Sequence, residues 1–311
     1  MARDPLLSME LAVSDNGAIG FIGLGVMGEP ICHNLVRKSG RRVIAFDLSP
    51  DPLKRIAEAG ADVAESAREV ADKSEIIFVC LPSGAHVEQV FEGSGILAAA
   101  RAGQTYVDLG TSPVALARKL AAELSERGAH FADAPIARTR AAAQSGTLSV
   151  MVGARPEVYR RLEPLIKCFA TDITHCGDVG SGQIVKILNN MVLFQTVNAL
   201  AEALAVGRRA GLDPEKLFAT LSKGSANSFA LNNHGLKAMV PDSFPERAFS
   251  TEYALKDLGY ALELAEELGL RLRGAELVGR VMQEAVEAGF GKQYFPVLAK
   301  IVDRPKDQSG S

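Results

Sequence analysis

The chain has 311 residues, 47% of them hydrophobic and 23% charged, a balance that can bury a core and excludes a disordered chain. At this length two domains are the natural expectation. Lys and Arg number 34 against 37 acidic residues, and no basic run is interleaved with aromatics, so nucleic acid is not expected as a partner.

In the first sixteen residues Asp4, Glu10 and Asp15 interrupt short apolar stretches, with no basic start and no apolar core. Residues 1–16 therefore read as a disordered N-terminal extension rather than a signal peptide. No run approaches the length of a membrane span, so no membrane partner is expected and a cytoplasmic location follows by default. Cys32, Cys80, Cys168 and Cys176 lack Cys-x-x-Cys spacing and a companion histidine cluster, and are expected as reduced thiols. His33, His86, His130, His175 and His234 form no ligand pattern, so no metal is expected.

From residue 18 to about residue 176, short β-rich runs alternate with helical stretches. Residues 18–22, 43–46, 76–80 and 106–109 are nearly continuous apolar runs, as strands buried on both faces of a parallel sheet should be. A helix is expected over 27–38, ending at Gly40, and another after Thr111-Ser112, read as a capping pair with Pro113 in the first turn. This alternation predicts an α/β fold with a doubly wound, Rossmann-type parallel sheet over residues 17–179. Beyond Gly182 the strand signals stop, and residues 183–210, 214–221, 253–268 and 275–288 read as helices. An all-helical C-terminal domain is expected over 180–304, with the glycine-rich stretch 176–182 as its boundary and a flexible tail at 305–311.

Gly23-Leu24-Gly25-Val26-Met27-Gly28 has the G-x-G-x-x-G pattern, directly after an apolar strand and opening a helix. Glycines there allow a tight turn, backbone approach to a pyrophosphate and close helix packing, with the helix N-terminus facing the negative charge. Asp47 follows about twenty residues later, where a carboxylate accepts from ribose hydroxyls. It would repel a 2′-phosphate, and Leu48-Ser49-Pro50-Asp51 provides no arginine to receive one, so NAD is expected over NADP.

The segment from Gly20 to Pro30, with Asn34-Leu35 following, closely resembles the N-terminal signature of the β-hydroxyacid dehydrogenase family, which includes 3-hydroxyisobutyrate dehydrogenases and tartronate semialdehyde reductases. Four further blocks occur in family order: Leu81-Pro82, Asp108-Leu109-Gly110-Thr111, Gly180-x-Gly182-x-x-x-Lys186-x-x-Asn189-Asn190, and Lys256-Asp257-Leu258. The resemblance covers roughly residues 18–296, and five ordered blocks are far more specific than one motif. It implies hydride transfer between NAD(H) and a small 3-hydroxy acid or its semialdehyde, with Leu81, Pro82 and Thr111 at the cofactor and Lys256 near its nicotinamide end. It also implies a homodimer or homotetramer, in which the helical domain buries apolar faces against a sister subunit.

Lys186 and Asn190, four residues apart on one expected helix, share a face. An ammonium can neutralise the charge that hydride transfer leaves on oxygen by donating a proton, and the amine can take that proton back in oxidation. The resemblance implies that role for Lys186, with Asn189 and Asn190 orienting substrate and lysine. A nicotinamidium charge and partial burial should both lower the lysine pKa.

One block departs from the family. Most relatives read Asp-Ala-Pro-Val-Ser-Gly-Gly, whereas this chain reads Asp133-Ala134-Pro135-Ile136-Ala137-Arg138-Thr139. A guanidinium replaces small backbone donors, and its planar fork suits carboxylate, sulfonate or phosphate oxygens. Arg138 and Thr139 are therefore expected at the anionic end of a small substrate. A similar Gly-Arg-Thr-Ser segment in the sulfolactaldehyde reductase branch implies a sulfonate as one possibility; the alternative is an internal ion pair of Arg138. Two other functions stay open: an imine reductase of the same architecture, against which Lys186 argues, and a non-catalytic NAD-binding module.

Overall fold

The computed structural model describes residues 17–246 and 248–305. The expected extension at 1–16, and the tail beyond Pro305, lie outside the described residues. The chain divides into two compact units between Lys186 and Ile187.

The first unit is built on a nine-stranded sheet among the described residues: β1 (Ile19–Ile22), β2 (Val43–Phe46), β3 (Asp62–Val63), β4 (Ile76–Val79), β5 (Thr105–Asp108), β6 (His130–Asp133), β7 (Ile136–Ala137), β8 (Leu148–Gly153) and β9 (Ala170–Gly177). Their order is β3-β2-β1-β4-β5-β6-β8-β7, with β9 paired to β8. The first six strands are parallel, in the order of a doubly wound dinucleotide fold. β1, β4 and β5 are buried at every position, which is why they read as apolar runs rather than alternating ones. Successive residues nevertheless serve opposite layers. Ile76 and Phe78 join the core on one face of the sheet, and Ile77 and Val79 the core on the other. Helices such as Gly28–Lys38 and Val114–Ser125 cover these faces.

The sheet is not parallel throughout. β8 runs antiparallel to β6 and β7, and β9 returns parallel to β8. Between Ala137 and Leu148 there is room only for the one short helix Arg140–Ser145, too little chain for the crossover that a parallel neighbour needs. The start of Val114–Ser125 also differs from expectation. Pro113 sits just before the helix, and no side chain caps it. The Ser112 hydroxyl instead donates to Asp108 Oδ2 at 2.7 Å.

The helix Ser181–Arg209 begins in the first unit and continues through the division into the second. The sequence reading that no run reaches a membrane span is corrected here, because this helix is long and apolar enough by length and composition. Its buried side chains include Phe194, Val197, Ala201 and Leu204, which form part of the second unit's core. The same helix buries the polar Gln183, Asn190 and Asn198. The rest of the second unit is helical, with Pro214–Leu221, Thr251–Glu267 and Arg273–Ala285 as its longer elements. Two irregular segments escape the sequence pattern: a π-helical stretch at Leu231–Met239 and a 3-10 turn at Phe295–Leu298. Phe194, Phe249 and Phe295 meet edge to face or tilted in the middle of this unit, a geometry that adds to their burial.

Candidate active site

In the first unit the expected cofactor residues gather at the carboxyl ends of β1, β2, β4 and β5. The glycine loop follows β1, Asp47 follows β2, Leu81-Pro82 lies just past β4 and Thr111 just past β5. β1 and β4 are adjacent, and the chain order reverses between them, which is where an open α/β sheet leaves a crevice for a ligand. Gly23 has φ +96°, and a Cβ on it would lie 2.3 Å from the Cys80 carbonyl oxygen. A Cβ on Gly28 would come within 2.0 Å of the Gly23 oxygen, whereas one on Gly25 would meet nothing within 4 Å. The first and third glycines are thus demanded by the turn and the helix, and the middle one leaves backbone open to an incoming group. These features fit a dinucleotide pyrophosphate at the N-terminus of Gly28–Lys38. Leu24 N–H donates to Asp47 Oδ2 at 2.5 Å, and Ser49 N–H to Oδ1 at 2.7 Å. Val26 is exposed beside them and Met27 immediately precedes the helix.

Arg138 lies between β7 and the helix Arg140–Ser145, with φ +87°. That left-handed backbone favours glycine, and a non-glycine residue holds it at a cost of about 1–3 kcal/mol. Its guanidinium forms an ion pair with Asp172 on β9 at 2.7 Å, and donates to the Thr147 carbonyl at 2.6 Å and Thr171 Oγ1 at 3.2 Å. The internal ion pair is thus the arrangement realised in this structure. The hydrogen bond from Thr171, followed by the Arg138 guanidinium, holds the Asp172 carboxyl below its usual range. Thr139 caps Arg140–Ser145 through a long contact with Ala142 N–H, at 3.4 Å. Lys186, half-buried, lies on the second turn of Ser181–Arg209.

In the second unit, Asn189 is exposed and donates to Asn190 Oδ1 at 3.1 Å, and the buried Asn190 donates to Asp257 Oδ2 at 2.8 Å. Asp257 Oδ1 in turn lies 2.8 Å from Lys256 Nζ. The Lys256 ammonium stands 4.2 Å from the Tyr253 ring centroid and 5.0 Å from that of Tyr260. The Asn-Asn pair and the Lys-Asp block, far apart in sequence, are therefore linked by hydrogen bonds from Asn189 to Asp257 and by the ion pair from Asp257 to Lys256. Asp257 and the two tyrosines were missed as partners. The tyrosines stand at −3 and +4 from Lys256, the helical spacing that would have revealed them.

Comparison with known proteins agrees with this layout. Residues 18–177 match the family described as the NAD binding domain of 6-phosphogluconate dehydrogenase, and residues 180–301 match the family described as NAD-binding of NADP-dependent 3-hydroxyisobutyrate dehydrogenase. The 2-(hydroxymethyl)glutarate dehydrogenase of Eubacterium barkeri is 35% identical over 284 residues, 91% of this chain and 94% of its own length. A Mycobacterium tuberculosis 3-hydroxyisobutyrate dehydrogenase solved with L-serine superposes with a TM-score of 0.84 at 30% identity, over 93% of this chain and all of that one. An imine reductase from Myxococcus stipitatus, at 21% identity, a TM-score of 0.63, and coverage of 92% of this chain and 99% of its own, shares the fold alone. The chain is an NAD(P)-binding oxidoreductase acting on hydroxy acids, and it belongs to the β-hydroxyacid dehydrogenase family.

Proposed function

We propose that the protein interconverts a 2-substituted 3-hydroxypropanoate and its semialdehyde, with NAD preferred over NADP. The observation that carries this reading is chemical. The acids in the names of the relatives, 3-hydroxyisobutyrate and 2-(hydroxymethyl)glutarate, and the L-serine bound to the mycobacterial enzyme all have the form HOCH2–CHR–COO−, differing only in R. A nicotinamide cofactor held by the glycine loop and Asp47 would supply the acceptor for the hydride of the hydroxymethyl carbon.

Lys186 is assigned as the general base, taking the hydroxyl proton as the alcohol becomes an aldehyde and returning it to oxygen in reduction. Asn189 and Asn190 orient the carboxylate and the lysine, and the chain from Asn190 through Asp257 to Lys256 supports that assignment by fixing the amide. Lys256 is assigned to the cofactor's nicotinamide end. Arg138, with 40% of its side chain still exposed beside Asp172, is assigned to an anionic group on R, with Thr139 next to it. Asp47 supports the preference for NAD, since its negative charge lies where a 2′-phosphate would be repelled. Val185, Leu188 and Val192 expose an apolar stripe on the long helix, which supports assembly as a homodimer or homotetramer.

The test is oxidation of 3-hydroxyisobutyrate, 2-(hydroxymethyl)glutarate, L-serine and a hydroxy sulfonate by NAD and by NADP, with lactate as a 2-hydroxy control. At least one HOCH2–CHR–COO− acid should exceed lactate by about a hundredfold in kcat/KM, the scale on which a misplaced hydroxyl is rejected. Failure of every 3-hydroxy acid and semialdehyde, together with reduction of a cyclic imine, would replace this reading.

A further inference from the structure

Asp108 and Asp133 close the neighbouring strands β5 and β6 at paired positions, and both side chains are buried. Asp133 Oδ1 accepts the Gly180 N–H at 2.6 Å and Oδ2 the Gln183 N–H at 2.7 Å. The carboxylate thereby satisfies orphan donors at the start of Ser181–Arg209, at the positive end of the helix dipole. Two glycines permit this approach. A Cβ at Gly153 would lie 2.5 Å from Asp133 Oδ1, and one at Gly182 would lie 2.8 Å from Oδ2 and 2.4 Å from the Met151 carbonyl oxygen. Burial still pushes the Asp133 carboxyl up to about 6 against these hydrogen bonds.

The side chain of Gln183, which is fully buried, carries the connection across to β5. Its Oε1 accepts the Ser112 N–H at 3.1 Å, and its Nε2 donates to the Gly110 carbonyl at 2.9 Å and stands 3.5 Å from Asp108 Oδ2. Asp108 completes the mesh, accepting the Gly110 N–H at 2.8 Å and the Ser112 hydroxyl at 2.7 Å. The amide is thus clamped to both the carbonyl of Gly110 and the N–H of Ser112, the residues on either side of Thr111. Lys186 lies one turn further along the same face of the helix.

We propose that Gln183 is a positioning residue for the reaction. Its amide locks the Gly110–Ser112 segment to the first turn of the helix that carries Lys186, while Asp133 holds that turn from the β6 side. The role rests on the assignment of Lys186 as acid and base. A buried amide with both ends matched specifies one orientation, and an apolar side chain of similar volume would fill the space without setting the register. A displacement of the lysine amine by about 1 Å is enough to cost a hundredfold in rate.

Gln183→Leu and Gln183→Glu test the role in the full chain, using the acid of highest kcat/KM from the panel above. Gln183→Leu is expected to fold and, at saturating cofactor, to lose about tenfold to a hundredfold in kcat. Amide exchange should also speed up in the peptide containing Gly110 and Ser112. Gln183→Glu keeps an acceptor for Ser112 N–H, but ionised it faces the Gly110 carbonyl and the Asp108 carboxylate without a donor. Its kcat should therefore recover as pH falls and the protonated acid regains an O–H donor, a new ionisation that a packing role would not produce. Unaltered kcat and exchange in Gln183→Leu, or a Gln183→Glu loss that is the same at every pH, overturns the proposal. Lys186→Ala, measured in parallel, separates two failures. Full turnover there removes the acid–base reading and this role with it, whereas an inactive Lys186→Ala beside a fully active Gln183→Leu overturns the positioning role alone.

Discussion

The Asp47 carboxylate accepts the N–H of Leu24 at 2.5 Å, so the residue assigned to cofactor choice also braces the glycine loop. Charge and brace can be separated. Asp47→Asn keeps an acceptor for Leu24 but removes the negative charge, and should shift the ratio of NADPH to NADH efficiency toward NADPH by about tenfold or more, roughly 1.4 kcal/mol. Asp47→Ala removes both and should also weaken NADH binding. Steady-state kinetics with each cofactor provides the measurement, and an unchanged ratio in Asp47→Asn would take cofactor selection away from this carboxylate.

Lys186→Ala should lower kcat by about a hundredfold or more, the usual scale of general acid–base catalysis. NADH binding, followed by fluorescence titration, should persist, because the glycine loop and Asp47 are untouched. Loss of cofactor binding in step with loss of turnover would make Lys186 a structural or cofactor residue instead.

Much of this arrangement was legible in the chain itself, for a physical reason. β1 and β4 are buried on both faces, so their apolar runs are continuous, and the glycine loop is local, Gly28 answering to the Gly23 carbonyl and Gly23 to Cys80 just past β4. β9 was not legible. It is mostly exposed and carries Thr171, Asp172, Thr174 and His175, so neither an apolar run nor a clean alternation marks it. The Arg138–Asp172 pair depends on the β8–β9 register, which sets Ser149 opposite Asp172, and no sequence spacing announces it. Gln183 lies inside the lysine block, but only the fold brings its amide to Gly110 and Ser112.

His234 predicts a pH dependence of stability. It is buried among Phe229, Tyr294 and Phe295, with Nδ1 against the Tyr294 hydroxyl and Nε2 without a hydrogen-bond partner among the described residues. Burial pushes its pKa down from 6.5 to about 4. Since the folded pKa is the lower one, the unfolded chain binds the extra proton first. The contribution is intact above about pH 6.5 and is lost as pH falls toward 4. Between pH 7 and pH 5 it amounts to about 2 kcal/mol. His234→Phe should be less stable at pH 7, because Tyr294 loses its partner, yet show a shallower decline to pH 5 in urea unfolding. Parallel declines in parent and variant would contradict the assignment.

Arg138 offers a test in which stability and substrate binding separate. Its backbone is in the left-handed region at φ +87°, so Arg138→Gly relieves a strain of about 1–3 kcal/mol, although glycine's greater freedom in the unfolded chain returns about 1 kcal/mol of that. The ion pair with Asp172 is 40% exposed on the arginine side and 58% on the aspartate side, and a pair so exposed is screened by water and contributes little. The net change in stability should therefore be small, from about zero to a gain of about 2 kcal/mol. The effect on substrate should not. If the guanidinium meets an anionic group on R, losing it removes a charge-assisted contact made in ground and transition states alike, so KM should rise about tenfold or more with kcat nearly unchanged. The rise should appear with 2-(hydroxymethyl)glutarate, whose R carries a second carboxylate, and be absent with 3-hydroxyisobutyrate, whose R is a methyl. Equal KM changes for the two acids would show that Arg138 does not read R, and would leave it as the partner of Asp172 at the edge of the sheet.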